Sequence, residues 1–229
     1  MPACCDPSEF DAVFTSKYAA QTARKLRSSG LDDTARRMVD FLVDVGVEGA
    51  DVLEIGGGVG GVHLELLRLG AARATNLELS TAYDHEAARL MREGGVAERV
   101  ERRIADLAVE PEVVPRADLV VLHRVVCCYP DFRLLLGAAA DRARLALVVS
   151  FPRPHLLTRA GTALENMSYA LRRQSFRTFV HPPDAMAGVM AAHGLDVERT
   201  GRTAMWQFAG AVRVGTANSI SGFESGLGS

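Results

Sequence analysis

Lysine is almost missing from this chain: 26 side chains are basic, but only Lys17 and Lys25 are lysines and the rest are arginines. Against 28 acidic groups they leave a formal charge of -2, so no bulk field draws the protein to nucleic acid or to an anionic membrane. Long apolar runs are also missing, and no membrane-spanning helix is expected. The segment Met1 to Phe10 carries Asp6 and Glu9 without a basic region followed by an apolar one, unlike a secretory leader. The cysteines number 4 and fall in two adjacent pairs, Cys4-Cys5 and Cys127-Cys128. That spacing matches neither a disulfide framework nor a zinc site, so the expectation is a reducing, cytoplasmic setting with no resident metal. No internal repeat is visible, and aromatic residues make up only 6%.

The 229 residues, 48% of them hydrophobic, suffice for one domain with a sizeable core. Residues 8 to 47 read as helical. Phe10, Val13, Phe14, Lys17 and Tyr18 recur at helical spacing, and a second helix starts near Asp32 or Asp33 and runs through Met38, Val39, Phe41 and Leu42 to Gly46. From about residue 49 the pattern changes to short apolar runs: Asp51 to Ile55, Ala74 to Leu79, Val100 to Ile104, Asp118 to Leu122 and Leu145 to Phe151. Helical stretches such as Val62 to Leu69 and Ala82 to Glu93 separate them. Strands alternating with helices imply parallel βαβ units whose sheet is covered on both faces. A later zone, 152 to 214, has an amphipathic stretch around Leu164 to Leu171, a helix Pro183 to His193, and strand-like runs near 195 to 199 and 204 to 214. The Gly- and Ser-rich residues 215–229, with Glu224 the one charge, are expected to be disordered.

In such a sheet, ligands bind beyond the carboxyl ends of the strands. There the sequence has Glu54-Ile55-Gly56-Gly57-Gly58-Val59-Gly60-Gly61, glycines that let the backbone turn out of a strand and approach a ligand ahead of a helix N-terminus. Gly56, Gly58 and Gly61 also satisfy the dinucleotide pattern, which keeps a nicotinamide oxidoreductase open as an alternative. Glu54 argues against it, because a carboxylate aimed into this loop repels a pyrophosphate and suits an ammonium group. At the end of the second run, Glu78 can accept both hydroxyl protons of a ribose, which fits either nucleoside.

The acid followed by G-x-G-x-G resembles the first motif of class I S-adenosylmethionine-dependent methyltransferases. The resemblance spans about residues 49 to 151. It implies a Rossmann-like, seven-stranded, mostly parallel α/β sheet with helices on both faces and an N-terminal helical arm. It divides the chain into an arm or lid (1–48) and a methyltransferase domain (49–214), of which 49–151 is the donor-binding core and 152–214 the substrate cap and final strands. It also implies S-adenosylmethionine as cofactor, with Glu54, Gly56, Gly58 and Gly60 at its amino-acid end and Glu78 at its ribose. By the same resemblance Leu79, Asp106 and the Leu107 backbone lie at its adenine, and His123 to Tyr129 face the sulfonium and the acceptor. Scattered pairs (Leu122-His123, Tyr129-Pro130, Ser150-Phe151-Pro152, His181-Pro182) are similar to the branch containing magnesium-protoporphyrin O-methyltransferases, in which an aromatic residue of the arm closes over the donor. Phe14 and Tyr18 are placed for that.

Methyl transfer is an in-line displacement that positioning can accelerate, with a base needed only when the acceptor carries a proton. His123 is the candidate base, since an imidazole exchanges protons near neutral pH. Tyr129 is a weaker candidate for orienting the acceptor. His155 and His181 read as surface or capping residues. The acceptor is expected to be a small molecule, O-, N- or C-methylated, with homodimer formation compatible with the sequence. Arg153, Arg159, Arg172, Arg173 and Arg177 suggest an anionic one. If the arm folds over the site, Cys4-Cys5 would approach Cys127-Cys128 and offer thiols to a soft ion or arsenite, against simple packing of small apolar side chains. A non-catalytic donor-binding protein would carry the same motifs.

Overall fold

The computed structural model describes residues 7–215; the Cys4-Cys5 pair and the expected tail beyond Gly215 lie outside them. The apolar runs form seven strands: β1 (Asp51–Ile55), β2 (Arg73–Glu78), β3 (Val100–Ile104), β4 (Ala117–His123), β5 (Ala143–Pro152), β6 (Leu195–Arg202) and β7 (Trp206–Arg213). They make one sheet in the order β3-β2-β1-β4-β5-β7-β6. Neighbours among β1 to β5 pair in parallel, while β7 is antiparallel to both β5 and β6. The expected seven-stranded, mostly parallel α/β architecture is therefore the observed one.

Helices cover both faces: α1 (Pro7–Val13), α2 (Ser16–Ser29), α3 (Asp33–Gly46), α4 (Gly61–Arg68), α5 (Asp84–Glu93), α6 (Phe132–Arg142), α7 (Leu156–Leu171) and α8 (Pro183–Ala192). Successive strand residues point to opposite faces. Accordingly Val52, Leu119, Val121, Ala146 and Val148 pack with side chains of α3 and α4. Their neighbours Leu53, Val120, Leu122, Leu147 and Val149 pack with α6 and α8. The chain order turns back between β1 and β4, and the crevice at the carboxyl ends of these two strands is where such sheets hold ligands.

Three local features differ from the sequence reading. The first helical run is broken at Thr15, whose hydroxyl accepts from the Tyr18 amide at 3.3 Å and starts α2 afresh. The stretch expected as one helix from Ala82 begins as a 3-10 turn, Thr81–Tyr83, capped by Ser80. Helix α6 was not read at all, although Asp131 caps it through the amides of Arg133 and Leu134 and its buried Phe132, Leu135, Leu136, Ala139 and Ala140 keep helical spacing.

Before β1 the chain divides in two. Helix α3 packs on β5 and β7 as part of a sheet layer, whereas α1 and α2 lie beside the glycine loop's end of the sheet. The α3 contact is close: a Cβ on Gly210 of β7 would sit 2.6 Å from the Phe41 ring. Gly210→Ala should therefore lower stability by about 1–3 kcal/mol, read from the urea midpoint. An unchanged midpoint would mean that Phe41 moves aside without cost.

Candidate functional site

The glycine loop leaves β1 with Gly56, Gly58 and Gly60 at φ of 62°, 55° and 88°, the left-handed region that glycine enters without strain. Two buried carboxylates brace it. Glu78, at the end of β2, accepts from the Gly58 amide at 2.7 Å through Oε2, and from the Leu79 and Ser80 amides at 2.9 and 3.2 Å through Oε1. Burial pushes the Glu78 carboxyl above its ordinary range, opposed by those three amides and by the charge of Arg102. Three of roughly four acceptor positions on this carboxylate are used, so it can still accept from a ligand hydroxyl. Glu54, at the end of β1, accepts at Oε2 from both the backbone amide and the ring Nδ1 of His63, at 3.0 and 2.6 Å. No described residue bonds its Oε1.

At the end of β4, His123 contacts Ser150 Oγ through Nδ1 at 3.0 Å and Asp32 Oδ2 through Nε2 at 3.3 Å. The Arg124 amide also donates to Ser150 Oγ at 2.9 Å, and the ring's Nε2–H faces Asp32. Both ring nitrogens are therefore engaged. Asp32 also caps α3 by accepting from Thr34 and Ala35, and it pairs with the Arg124 guanidinium at 2.9 Å. Burial works against ionisation of Asp32, but the His123 and Ala35 bonds and the charges of His123 and Arg124 outweigh it and hold its carboxyl well below the usual range. Arg124 is a non-glycine residue at φ 61°, with its guanidinium 4.5 Å over the Trp206 ring.

Aromatic rings join the arm to the rest. Phe14 lies 6.2 Å from Tyr83 and 5.5 Å, edge-on, from the buried Phe176, which also meets Phe10 and Tyr169. Burial pushes the Tyr83 phenol up, so it stays protonated. The result is a cavity of about 320 Å³ between the arm and the strand ends. Its walls include Phe14, Tyr18, Asp32, Glu54, Gly56, Gly58, Glu78, Tyr83, His123 and Cys128. A second cavity of about 620 Å³ lies under α7, lined by Leu157, Leu164, Tyr169, Phe179, Met205, Trp206, Arg172 and Cys127 among others.

Of the residues singled out in the sequence, Glu54, Gly56, Gly58, Glu78 and His123 share the first cavity. Gly60, Leu79, Asp106 and Leu107 are not among its lining residues. Asp106 is buried, with Oδ1 accepting from the Ala108 amide and Oδ2 from the Tyr129 hydroxyl at 3.0 Å. Tyr129 is buried in that contact and lines neither cavity. His155 caps α7, accepting from the Thr158 amide. His181, expected at the surface or as a cap, is instead buried, and its Nε2 donates to the carbonyls of Val126 and Tyr129. Among the five cap arginines, Arg172 lines the second cavity, while Arg153 and Arg177 bond backbone carbonyls.

Cys127 and Cys128 place their sulfurs 3.8 Å apart, one facing each cavity. The bond to Cys127 and burial push the Cys128 thiol well up, away from the thiolate that binds soft ions. Among the described residues no group of three or more His, Cys, Asp or Glu could hold a metal, and no helix is long and apolar enough to cross a membrane. The sequence reading passed over His63 and Phe176, named Ser150 only within a family-like tripeptide, and read Asp32 only as a helix start. His63 was detectable as a lone histidine one turn into the helix after the glycines.

No family model and no curated protein matches the sequence. Solved structures match the fold. Magnesium protoporphyrin IX methyltransferase from Synechocystis, with bound S-adenosylhomocysteine, superposes with a TM-score of 0.71 at 21% identity over 91% of this chain and 99% of that one. An O-methyltransferase family protein from Burkholderia thailandensis gives 0.64 at 21% over 88% and 63%. An O-methyltransferase family 2 protein from Planctomyces limnophilus, in complex with apigenin, gives 0.65 at 19% over 87% and 62%. The chain thus has the fold of class I methyltransferases.

Because Asp32 is ionised more readily in the folded protein, its contribution to stability is present above the unfolded carboxylate value, about 3.9, and is lost as pH falls below it. Asp32→Asn keeps a helix cap but removes the charge. Its urea midpoint should lie below that of the wild type at neutral pH, with the gap narrowing from about pH 4 downward. Equal midpoints at neutral pH would show that the clasp to His123 and Arg124 adds nothing.

Proposed function

We propose that the protein transfers a methyl group from S-adenosylmethionine to a small-molecule acceptor. The observation that carries this reading is the convergence of Glu54, the glycine loop and Glu78 on one cavity, in a sheet of methyltransferase fold. The donor set fits the cofactor. Glu54 Oε1 is left for an ammonium group, Glu78 retains one acceptor position for a ribose hydroxyl, and the loop gives close backbone approach. When bound, the cofactor supplies a methyl group on a sulfonium, activated for displacement.

The chain's own contribution is mostly position. Phe14 and Tyr18 line the arm side of the cavity, and the Asp32–His123 contact ties the start of α3 to the ends of β4 and β5. His123 can take a proton from an acceptor only by exchanging its Ser150 partner for that acceptor. The second cavity suits the acceptor: Trp206, Tyr169 and Phe179 offer an apolar bed and Arg172 a positive charge, which favours an apolar molecule bearing an anionic group. Cys127 and Cys128 lie between the two. The neighbours include a magnesium protoporphyrin IX methyltransferase and a protein in complex with apigenin, in keeping with a small-molecule acceptor here.

Calorimetry with S-adenosylhomocysteine should show micromolar binding, weakened at least about tenfold by Glu78→Ala, which removes a charged hydrogen-bond acceptor. Absence of binding below about millimolar, or equal binding by the variant, sinks the donor-site assignment. A homocysteine-coupled screen of carboxylated, phenolic and amine small molecules should then identify an acceptor. With it, His123→Ala should lower kcat on the order of a hundredfold while S-adenosylhomocysteine still binds. An unchanged kcat removes His123 from the chemistry.

A further inference from the structure

His63 is among the most enclosed polar residues of the chain, 1% exposed, yet it faces the glycine loop rather than the solvent side of α4. Its backbone amide and its ring Nδ1 both reach the same oxygen of Glu54, at 3.0 and 2.6 Å. Since Oε2 accepts from both, the ring hydrogen is on Nδ1, and the carboxylate is held by two donors on one side. Its other oxygen, on the cavity-lining residue, has no partner among the described residues. The far edge of the ring lies under Gly60, so close that a Cβ there would overlap it, with Nε2 2.6 Å from that position. Nε2 itself is buried without a hydrogen-bond partner. A buried nitrogen left unpaired is a cost, and it is tolerated where the rest of the side chain is held for another purpose.

We propose that His63 is a positioning residue of the donor site: by clamping one oxygen of Glu54 and supporting Gly60 from beneath, it presents the free oxygen to the ammonium end of the donor. The proposal rests on the methyl-donor reading above and adds to it a residue outside the acid-glycine motif. It makes a distinction that general destabilisation does not. Loss of the clamp should weaken ligands that carry the amino-acid end and spare those that lack it.

The test compares S-adenosylhomocysteine with 5′-methylthioadenosine, which has no amino-acid end, by calorimetry on the full chain. His63→Leu should weaken S-adenosylhomocysteine roughly tenfold or more and leave methylthioadenosine within about threefold, as expected for loss of a hydrogen bond to a charged group. His63→Asn, whose side-chain amide can donate to Glu54 from nearly the same place, should restore most of the S-adenosylhomocysteine affinity. His63→Ala should show the same selective loss as the leucine variant and replaces it if that variant does not fold. Unchanged S-adenosylhomocysteine binding in the leucine or alanine variant, or equal weakening of both ligands, overturns the proposal. If the wild type binds neither nucleoside, the donor reading itself has failed, and this inference with it.

Discussion

The structure depends on how β1 leaves the sheet. Three glycines in left-handed conformation carry the chain from Ile55 into α4, and their amides cannot all be satisfied by a regular ladder. Glu78, from the neighbouring strand, accepts the Gly58 amide, while Glu54, from β1 itself, takes the His63 amide where the loop enters α4. A buried carboxylate is costly unless it is well hydrogen-bonded, and here Glu78 is held by three backbone amides and Glu54 by the amide and ring of His63. The loop and the acids hold each other in place, and the same arrangement leaves one oxygen of Glu54 and one acceptor position on Glu78 for a ligand.

The arm completes the cavity by two different kinds of contact. Phe10, Phe14 and Phe176 form an apolar seam between the arm and the segment after α7, while Asp32 reaches across to His123 and Arg124. Edge-to-face rings and a solvent-touched ion pair each contribute only modestly. Arg124 links the two cavities, pairing with Asp32 on one side and lying over Trp206 on the other. Its left-handed backbone is a cost accepted at the place where donor and acceptor would meet.

Much of this was legible in the sequence because it rests on local pattern. Apolar runs bounded by helices give the parallel sheet, and Glu54, the glycines and Glu78 fall at strand ends where their chemistry can be read from position alone. What escaped depends on contacts between distant residues. Asp32 carries an ordinary helix-cap signature, and its pairing with His123, 91 positions away, arises only when α3 packs beside β4 and β5. Tyr129 and Asp106 were read one by one, and their hydrogen bond to each other spans 23 residues. His181 lay in a polar, proline-rich stretch that reads as surface, yet two backbone carbonyls draw it inside. Helix α6 had a clear cap in Asp131, obscured by the short helical turn Val126–Cys128 just before it.

The central claim is that the cavity between the arm and the ends of β1, β2 and β4 is a methyl-donor site. A crystal structure of the protein grown with S-adenosylhomocysteine tests it most directly. The account predicts the ligand in that cavity, with its ammonium group on the free oxygen of Glu54, a ribose hydroxyl on Glu78 and the arm beside it. A ligand bound elsewhere, or in that cavity with its amino-acid end turned away from Glu54, would contradict it.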